Sequence, residues 1–93
     1  MTVGVLTLVL FIPGSNSLKE KRMGLHSLKA RLRNNFNLAV AQIDDEDKWQ
    51  KATLAIAGVE KDRKNMNSVL SGALNFISGF HNINLIDHEM ELL

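Results

Sequence analysis

Five cationic or imidazole side chains recur at spacings of three and four between positions 19 and 33. At 100° per residue, these spacings place them within about 80° of one helical face, along about 21 Å of helix. The segment holds six of the 11 Lys and Arg residues but a single acid, Glu20. A stripe of one charge sign suits salt-dependent contacts with a chain of phosphates. We call it the basic stripe: Lys19, Arg22, His26, Lys29 and Arg33.

The stripe also admits a second interpretation, as the solvated surface of an ordinary helix. Lys21 belongs to the same cationic segment, and we include it among the candidate polyanion-binding residues. Its helical position is near the apolar side, however, so its side chain must reach around the first turn to water or to an acid.

The segment before this helix is a candidate anion-binding corner. Backbone amides at a helix N-terminus favour an anion, and Gly14, Ser15 and Ser17 lie at such a position next to the cations of the first turn. The segment lacks the Lys-Ser/Thr ending of a P-loop.

An acidic turn, Asp44 to Asp47, concentrates four carboxylates in four residues. Carboxylate oxygens are ligands for Mg²⁺ or Ca²⁺, but the turn lacks the Gly and the distant Glu of an EF-hand. We predict a solvated turn, paired with Lys21 or Arg22, and no metal site. The chain has no Cys, and its Ser and His residues show no catalytic spacing, so we assign no catalytic residue and no cofactor.

Trp49, the only Trp, stands two residues after Asp47. Trp49 opens the predicted third strand, where in one interpretation it packs over the turn or into the core. In the other interpretation, Trp49 and Asp47 together contact a base or a partner.

Hydrophobic patterning predicts the elements that position these residues. Apolar residues run from Val3 to Ile12 as a buried strand, and Ser17-x-x-Glu20 has the form of a capping box that begins a helix reaching Phe36. Gly24 interrupts this helix and suggests close packing there. The remaining predicted elements are a strand at 37–44, a strand at 50–60, a helix capped by Asp62 and a strand at 83–92.

The order βαββαβ predicts a ferredoxin-like α+β fold, with two helices on one face of a four-stranded antiparallel sheet, as a single domain of residues 1–93. This topology brings the Pro13–Ser17 loop, the acidic turn and the end of the second helix near His81 to one end of the molecule. Either phase of the first strand leaves aliphatic side chains on the open side of the sheet. We therefore expect homo-oligomerisation through that face.

Four segments of the sequence together form a recognisable pattern: Gly4-Val5-Leu6, Ile12-Pro13-Gly14-Ser15, Ser17-Leu18-Lys19-Glu20-Lys21-Arg22 and Asp47-x-Trp49-Gln50-x-Ala52-Thr53-Leu54. These segments resemble the YlxP-like family of small bacterial proteins of unknown function. The resemblance implies a ferredoxin-like domain, and the family's gene neighbours, among them ribosome-binding factor A and initiation factors, imply a link to RNA or the ribosome.

The composition is compatible with that link. The net charge of +1 by itself suggests no preference for polyanions, but it sums a cationic helix with acidic segments at 44–47 and 87–91. The apolar run of about 10 residues at Val3–Ile12 is half the length of a membrane span, so we expect a cytoplasmic protein with no membrane partner. We predict a non-enzymatic RNA- or ribosome-associated module. The alternative is an oligomeric protein-interaction or small-ligand-binding domain that uses the open sheet face. The third predicted strand, Thr53–Val59, has no aromatic residue, which argues against the base stacking of an RNA-recognition motif and favours the first helix as the RNA-binding element.

Overall fold

A computed structural model describes residues 1–93 and has the predicted order of elements. The elements are β1 (Thr2–Phe11), α1 (Leu18–Phe36), β2 (Ala39–Asp44), β3 (Lys51–Glu60), α2 (Arg63–Ser78) and β4 (Asn84–Leu92). β2 begins two residues later than predicted because Asn37 has φ 53° and ends α1 in the left-handed conformation. Leu38 then turns into the core, where it is buried.

The four strands form one antiparallel sheet in the order β2-β3-β1-β4. Each helix packs against this sheet, and the buried side chains of the strands point towards the helices. The structure is the predicted ferredoxin-like α+β fold. No helix combines the length and apolar character needed to cross a membrane.

The core lies between the helices and one face of the sheet. Alternate residues of the two central strands are fully buried, including Leu6, Leu8 and Leu54. α1 contributes Leu25, Leu28 and Leu32, and α2 contributes Met66, Leu70, Ala73 and Ile77.

Two glycines let α2 approach the sheet closely. Gly4 and Gly58 are paired across β1 and β3. A Cβ on Gly4 would lie 2.6 Å from Cγ of Met66, and one on Gly58 would lie 2.6 Å from Cδ2 of Leu38. Gly24 differs from both, since a Cβ there would meet nothing within 4 Å. The prediction of close packing at Gly24 is therefore wrong.

The pairing register decides which phase of β1 faces away from the helices. Leu6 and Leu8 are buried opposite Ile56 and Leu54, so the intervening residues form the open side of the sheet. We call this surface the open sheet face. Its members are Val3, Val5, Thr7, Val9 and Phe11 of β1, Lys51, Thr53, Ala55, Ala57 and Val59 of β3, Ala39 and Ala41 of β2, and Asn84, Asp87, Glu89 and Glu91 of β4.

The predicted convergence at one end of the molecule is confirmed by hydrogen bonds and pairing. The amide of Ile12 donates to the carbonyl oxygen of Gln50 over 2.8 Å, and the Gln50 side chain donates to the carbonyl oxygen of Ser15 over 3.1 Å. Phe11 pairs with Asn84 at the start of β4. The loop before α1, the β2–β3 loop and the end of α2 therefore meet at this end.

Candidate anion-binding surface

The basic stripe lies on the outer side of α1. Lys19, Arg22 and His26 are exposed, and Lys29 is half-buried. Ion pairs in the molecule involve only Lys48 and Lys51, each with Asp45, so no acid neutralises the stripe. These four side chains also make no hydrogen bond within the protein. Their donors face solvent and are available to an external acceptor.

Arg33 differs from the rest of the stripe because it is already engaged. Its Nη2 donates to the carbonyl oxygen of Val40 over 2.9 Å. Val40 belongs to β2, an edge strand of the sheet. The contact places the C-terminal end of the stripe beside the β2 edge and satisfies one acceptor on a strand that has no further neighbour.

A shallow surface depression of about 410 Å³ accompanies the N-terminal half of the stripe. Three of its lining residues, Lys19, Arg22 and His26, belong to the stripe, and the fourth is Met23. Met23 is 66% exposed, so an apolar thioether lies beside the cations. Met23 is not among the predicted site residues, although its position next to Arg22 on a predicted helix was a usable signal.

The predicted anion corner is closed by the protein's own groups. Ser17 caps α1, and its Oγ accepts the amide of Glu20 over 3.1 Å. The Glu20 carboxylate accepts the amide of Asn16 over 2.7 Å, which differs from the reciprocal capping box because the bonded amide precedes the cap. A carboxylate therefore occupies the helix N-terminus where an anion was expected.

The other two corner residues take part in the turn before the helix. Ser15 is buried, and its hydroxyl donates to the carbonyl oxygen of Ser17 over 3.3 Å. Gly14 has φ +80° and supports the turn that precedes the helix. These placements do not fit an anion site built from Gly14, Ser15 and Ser17.

Lys21 lies in the interior, apart from the basic stripe, with 1% of its surface exposed. Its Nζ donates to backbone carbonyl oxygens of the β2–β3 loop and of the first residue of β3: Asp45 at 2.6 Å, Glu46 at 3.4 Å and Lys48 in the loop, and Lys51 at 3.0 Å in β3. We call this arrangement the carbonyl cage. It joins the first turn of α1 to a loop 24 to 30 positions further along the chain.

The carbonyl cage corrects two expectations about Lys21. The ammonium binds backbone oxygens of the acidic turn rather than a carboxylate or water. Burial lowers the pKa of Lys21, and the charges of Asp45 and Asp47 partly oppose this effect. A buried, fully engaged ammonium is not placed to contact a polyanion, so Lys21 does not belong with the exposed stripe.

Asp45 fixes the other side of the same loop. Its buried carboxylate accepts the hydroxyl of Thr53 over 2.8 Å and pairs with the ammonium of Lys48 at 3.1 Å. These contacts lower the pKa of Asp45, the Thr53 hydrogen bond contributing most. The hydrogen bond that Lys48 makes with the Asp45 carboxylate raises the pKa of Lys48. Asp45 has φ 64°, a backbone conformation that Asp tolerates better than most residues.

The remaining groups of the loop face solvent. Glu46 and Asp47 are exposed, and Asp44 accepts the amide of Asp45 over 2.8 Å. The carboxylates line a depression of about 370 Å³, but no three His, Asp or Glu side chains of the molecule are grouped as metal ligands. The acidic turn pairs internally with Lys48 and Lys51, not with Arg22 as expected.

Trp49 is 57% exposed at the end of this loop. The interpretation of Trp49 as a core residue is therefore wrong. Both of its neighbours in sequence are held in place. The carbonyl oxygen of Lys48 accepts a hydrogen bond from Lys21, and that of Gln50 accepts one from the amide of Ile12. Trp49 thus projects from a loop that the carbonyl cage and Asp45 fix on both sides.

The fold defines the chain as a ferredoxin-like α+β protein. A solved structure with a similar fold is a variant of SnoaB, a cofactor-independent oxygenase from Streptomyces nogalater, at a TM-score of 0.52. The two chains are 14% identical, and the match covers 99% of this chain and 90% of the other. At this identity the likeness concerns the fold alone.

Sequence comparison identifies the family. Residues 3–90 match the family described as "Protein of unknown function (DUF503)". The chain is 36% identical over 69 residues to the uncharacterized protein YlxP of Bacillus subtilis (strain 168), which covers 74% of this chain and 75% of the relative. The chain therefore belongs to the DUF503 family, as the resemblance to YlxP-like proteins predicted.

Proposed function

We propose that this protein is a non-enzymatic RNA-binding module that contacts phosphates through the basic stripe. The observation that supports the proposal most directly is the absence of an internal acid partner along the stripe. Three cations of the stripe lie on one side of a single helix, and none of them forms an ion pair within the protein: Lys19, Arg22 and Lys29. When such cations bind phosphates, they release the counterions condensed on the RNA, which drives association.

The spacing of the stripe suits a phosphate backbone. Lys19 and Lys29 are ten residues apart, which is about 15 Å along a helix and spans several nucleotides of a strand. The exposed thioether of Met23 adds an apolar contact for a sugar or base beside the cations. RNA, free or within the ribosome, is the polymer that we propose, because the resemblance at Ser17–Arg22 implies a link to translation.

The open sheet face does not support the base-stacking mode of an RNA-recognition motif. The middle of β3 presents Ala55 and Ala57, and the middle of β1 presents Val5 and Thr7. None of these side chains offers an aromatic platform. Contacts through α1 are therefore the mode that we propose.

The test is a filter-binding titration with a structured RNA at several salt concentrations. The variant Arg22→Glu/Lys29→Glu reverses two stripe cations and leaves Arg33 in place, because Arg33 also bonds β2. We expect affinity to fall at least about tenfold at low salt, and the slope of log K against log salt to lose about 1.5 for two contacts.

The matched control is Lys61→Glu/Lys64→Glu. It changes the net charge equally, at two exposed positions near the opposite end of the molecule. We expect this control to keep most of the affinity. No binding by the wild-type protein at low salt, or an equal loss in both variants, would contradict the proposal.

A second candidate function is protein interaction through the open sheet face. The observation that favours it is the row of aliphatic side chains on β1 outside the core, including Val5 and Val9. It does not compete with the first proposal for a surface, since the basic stripe lies on α1.

A further inference from the structure

The open sheet face has a regular relief across its four strands. In two adjacent cross-strand rows, the side chains increase in size from β2 to β4. The first row is Ala39, Ala57, Val5 and Glu91, and the second is Ala41, Ala55, Thr7 and Glu89. The β2–β3 half is therefore a shallow trough, and β1 is a ridge of larger side chains beside it.

Acidic side chains line one edge of this face, and Lys51, opposite Phe11 at the start of β3, is paired with Asp45. Asp87, Glu89 and Glu91 alternate along β4 and share no ion pair with any cation of the molecule. On the opposite edge, the guanidinium of Arg33 lies 2.9 Å from the carbonyl oxygen of Val40 in β2. The face thus has an acidic edge and a cationic edge on either side of an apolar centre.

From this relief and charge pattern we infer that the open sheet face binds a second copy of the chain about a two-fold axis parallel to the strands. Such an axis places β1 of one copy over β3 of its partner, so that the ridge enters the trough. It also places the acidic edge of each copy over the cationic edge of the other. An axis across the strands would instead stack acidic edge on acidic edge, which like charges disfavour.

The area of the face is sufficient for such a dimer. With about 4.8 Å between strands and about 3.3 Å of rise per residue, strands of these lengths give about 550 Å² per copy. The buried total of about 1,100 Å² exceeds the roughly 1,000 Å² that a specific interface needs. Two sheets packed in this way lie about 10 Å apart, as in a β-sandwich, with a helix layer outside each.

The symmetry also fixes which residues meet. Rotation about an axis parallel to the strands does not change a residue's position along the strand direction. Each cross-strand row therefore faces the same row of the partner copy. Ala55 then lies under Thr7 of the second copy, and Glu89 lies over the row of Ala41 near the β2 edge.

Sedimentation equilibrium between about 1 and 200 µM tests the inference. The wild-type chain is expected to be a dimer in this range. Ala55→Glu places a carboxylate in the centre of the interface and is expected to raise the dissociation constant at least about 100-fold. Asn67→Glu on the exposed side of α2 adds the same charge and is expected to leave dissociation unchanged. Circular dichroism confirms that each variant is folded.

Glu89→Lys tests the direction of the axis. With the axis parallel to the strands, the new cation approaches the cationic edge of the partner and the dimer weakens by about five- to tenfold. An unchanged or tighter dimer would contradict this axis. A wild-type monomer at 200 µM, an assembly larger than two copies, or a folded Ala55→Glu variant that dimerises normally would overturn the inference. RNA binding by the basic stripe is measured separately, so either proposal is able to fail alone.

Discussion

The side-chain ammonium of Lys21 lies 2.6 Å from the backbone carbonyl oxygen of Asp45, 24 positions further along the chain. Three more carbonyl oxygens, those of Glu46, Lys48 and Lys51, accept hydrogen bonds from this ammonium. A single side chain thereby joins the start of α1 to the β2–β3 loop. The cationic segment of the sequence is thus divided between an interior contact that supports the fold and an exposed stripe on the surface.

Removing the ammonium is expected to destabilise the protein. Lys21→Met keeps the aliphatic stem but leaves carbonyl oxygens of the loop without a donor, which costs about 2–3 kcal/mol in free energy of unfolding. Lys19→Met, at an exposed position two residues away, is expected to change the free energy of unfolding by less than about 0.5 kcal/mol. Urea denaturation of both variants measures the difference. Equal stability of the two variants would contradict a structural role for the carbonyl cage.

Gly24→Ala is expected to stabilise the protein. A Cβ there meets nothing within 4 Å, so the variant gains helix propensity of about 1 kcal/mol without a clash. The melting temperature should rise by about 4–8 °C for a domain of this size. Gly4→Ala provides the contrast, because its Cβ would collide with Met66 and Leu70 and cost about 1–3 kcal/mol. A fall in melting temperature for Gly24→Ala would contradict the open space at that position.

Asp45 should make the stability depend on pH in the acid range. Its pKa is lowered in the folded protein, so the folded state favours the carboxylate more strongly than the unfolded state does. The resulting stabilisation is complete above the ordinary Asp pKa of 3.8 and is lost as the pH falls through the lowered value. Asn tolerates the positive φ at this position but has no carboxylate to protonate. In the Asp45→Asn variant, the decline in stability below about pH 4 should therefore be shallower. Denaturation midpoints between pH 2 and 6 test this, and identical acid limbs in the two proteins would refute it.

Ser17→Ala separates the helix cap from an anion site. Loss of the hydroxyl that accepts the Glu20 amide should cost about 1 kcal/mol of stability. Because Glu20 already occupies the helix N-terminus, RNA affinity should stay within about twofold of wild type at a temperature where both are folded. A larger loss of affinity would restore the anion corner as a binding element.

Most of the fold could be predicted from hydrophobic periodicity. The apolar alternation of β1 and the three- and four-residue spacing from Leu25 to Leu32 depend only on local geometry, so the sequence pattern reveals them. The boundary at Asn37 was missed because a left-handed residue ends a helix without changing the apolar pattern. The candidate site was predicted less completely, since the partners of Lys21 lie on a loop far along the chain.

The amino-acid sequence by itself determined the ferredoxin-like plan, the basic stripe on α1 and the membership of a family of unknown function. Each of these follows from local spacing or direct comparison of residues. Only the tertiary structure decided that Lys21 is enclosed by carbonyl oxygens, that Glu20 fills the predicted anion corner and that Trp49 is exposed. It also decided which phase of β1 faces outward. These outcomes depend on contacts between segments that are distant in sequence. Strand register and helix packing set these contacts, and no local sequence pattern predicts them.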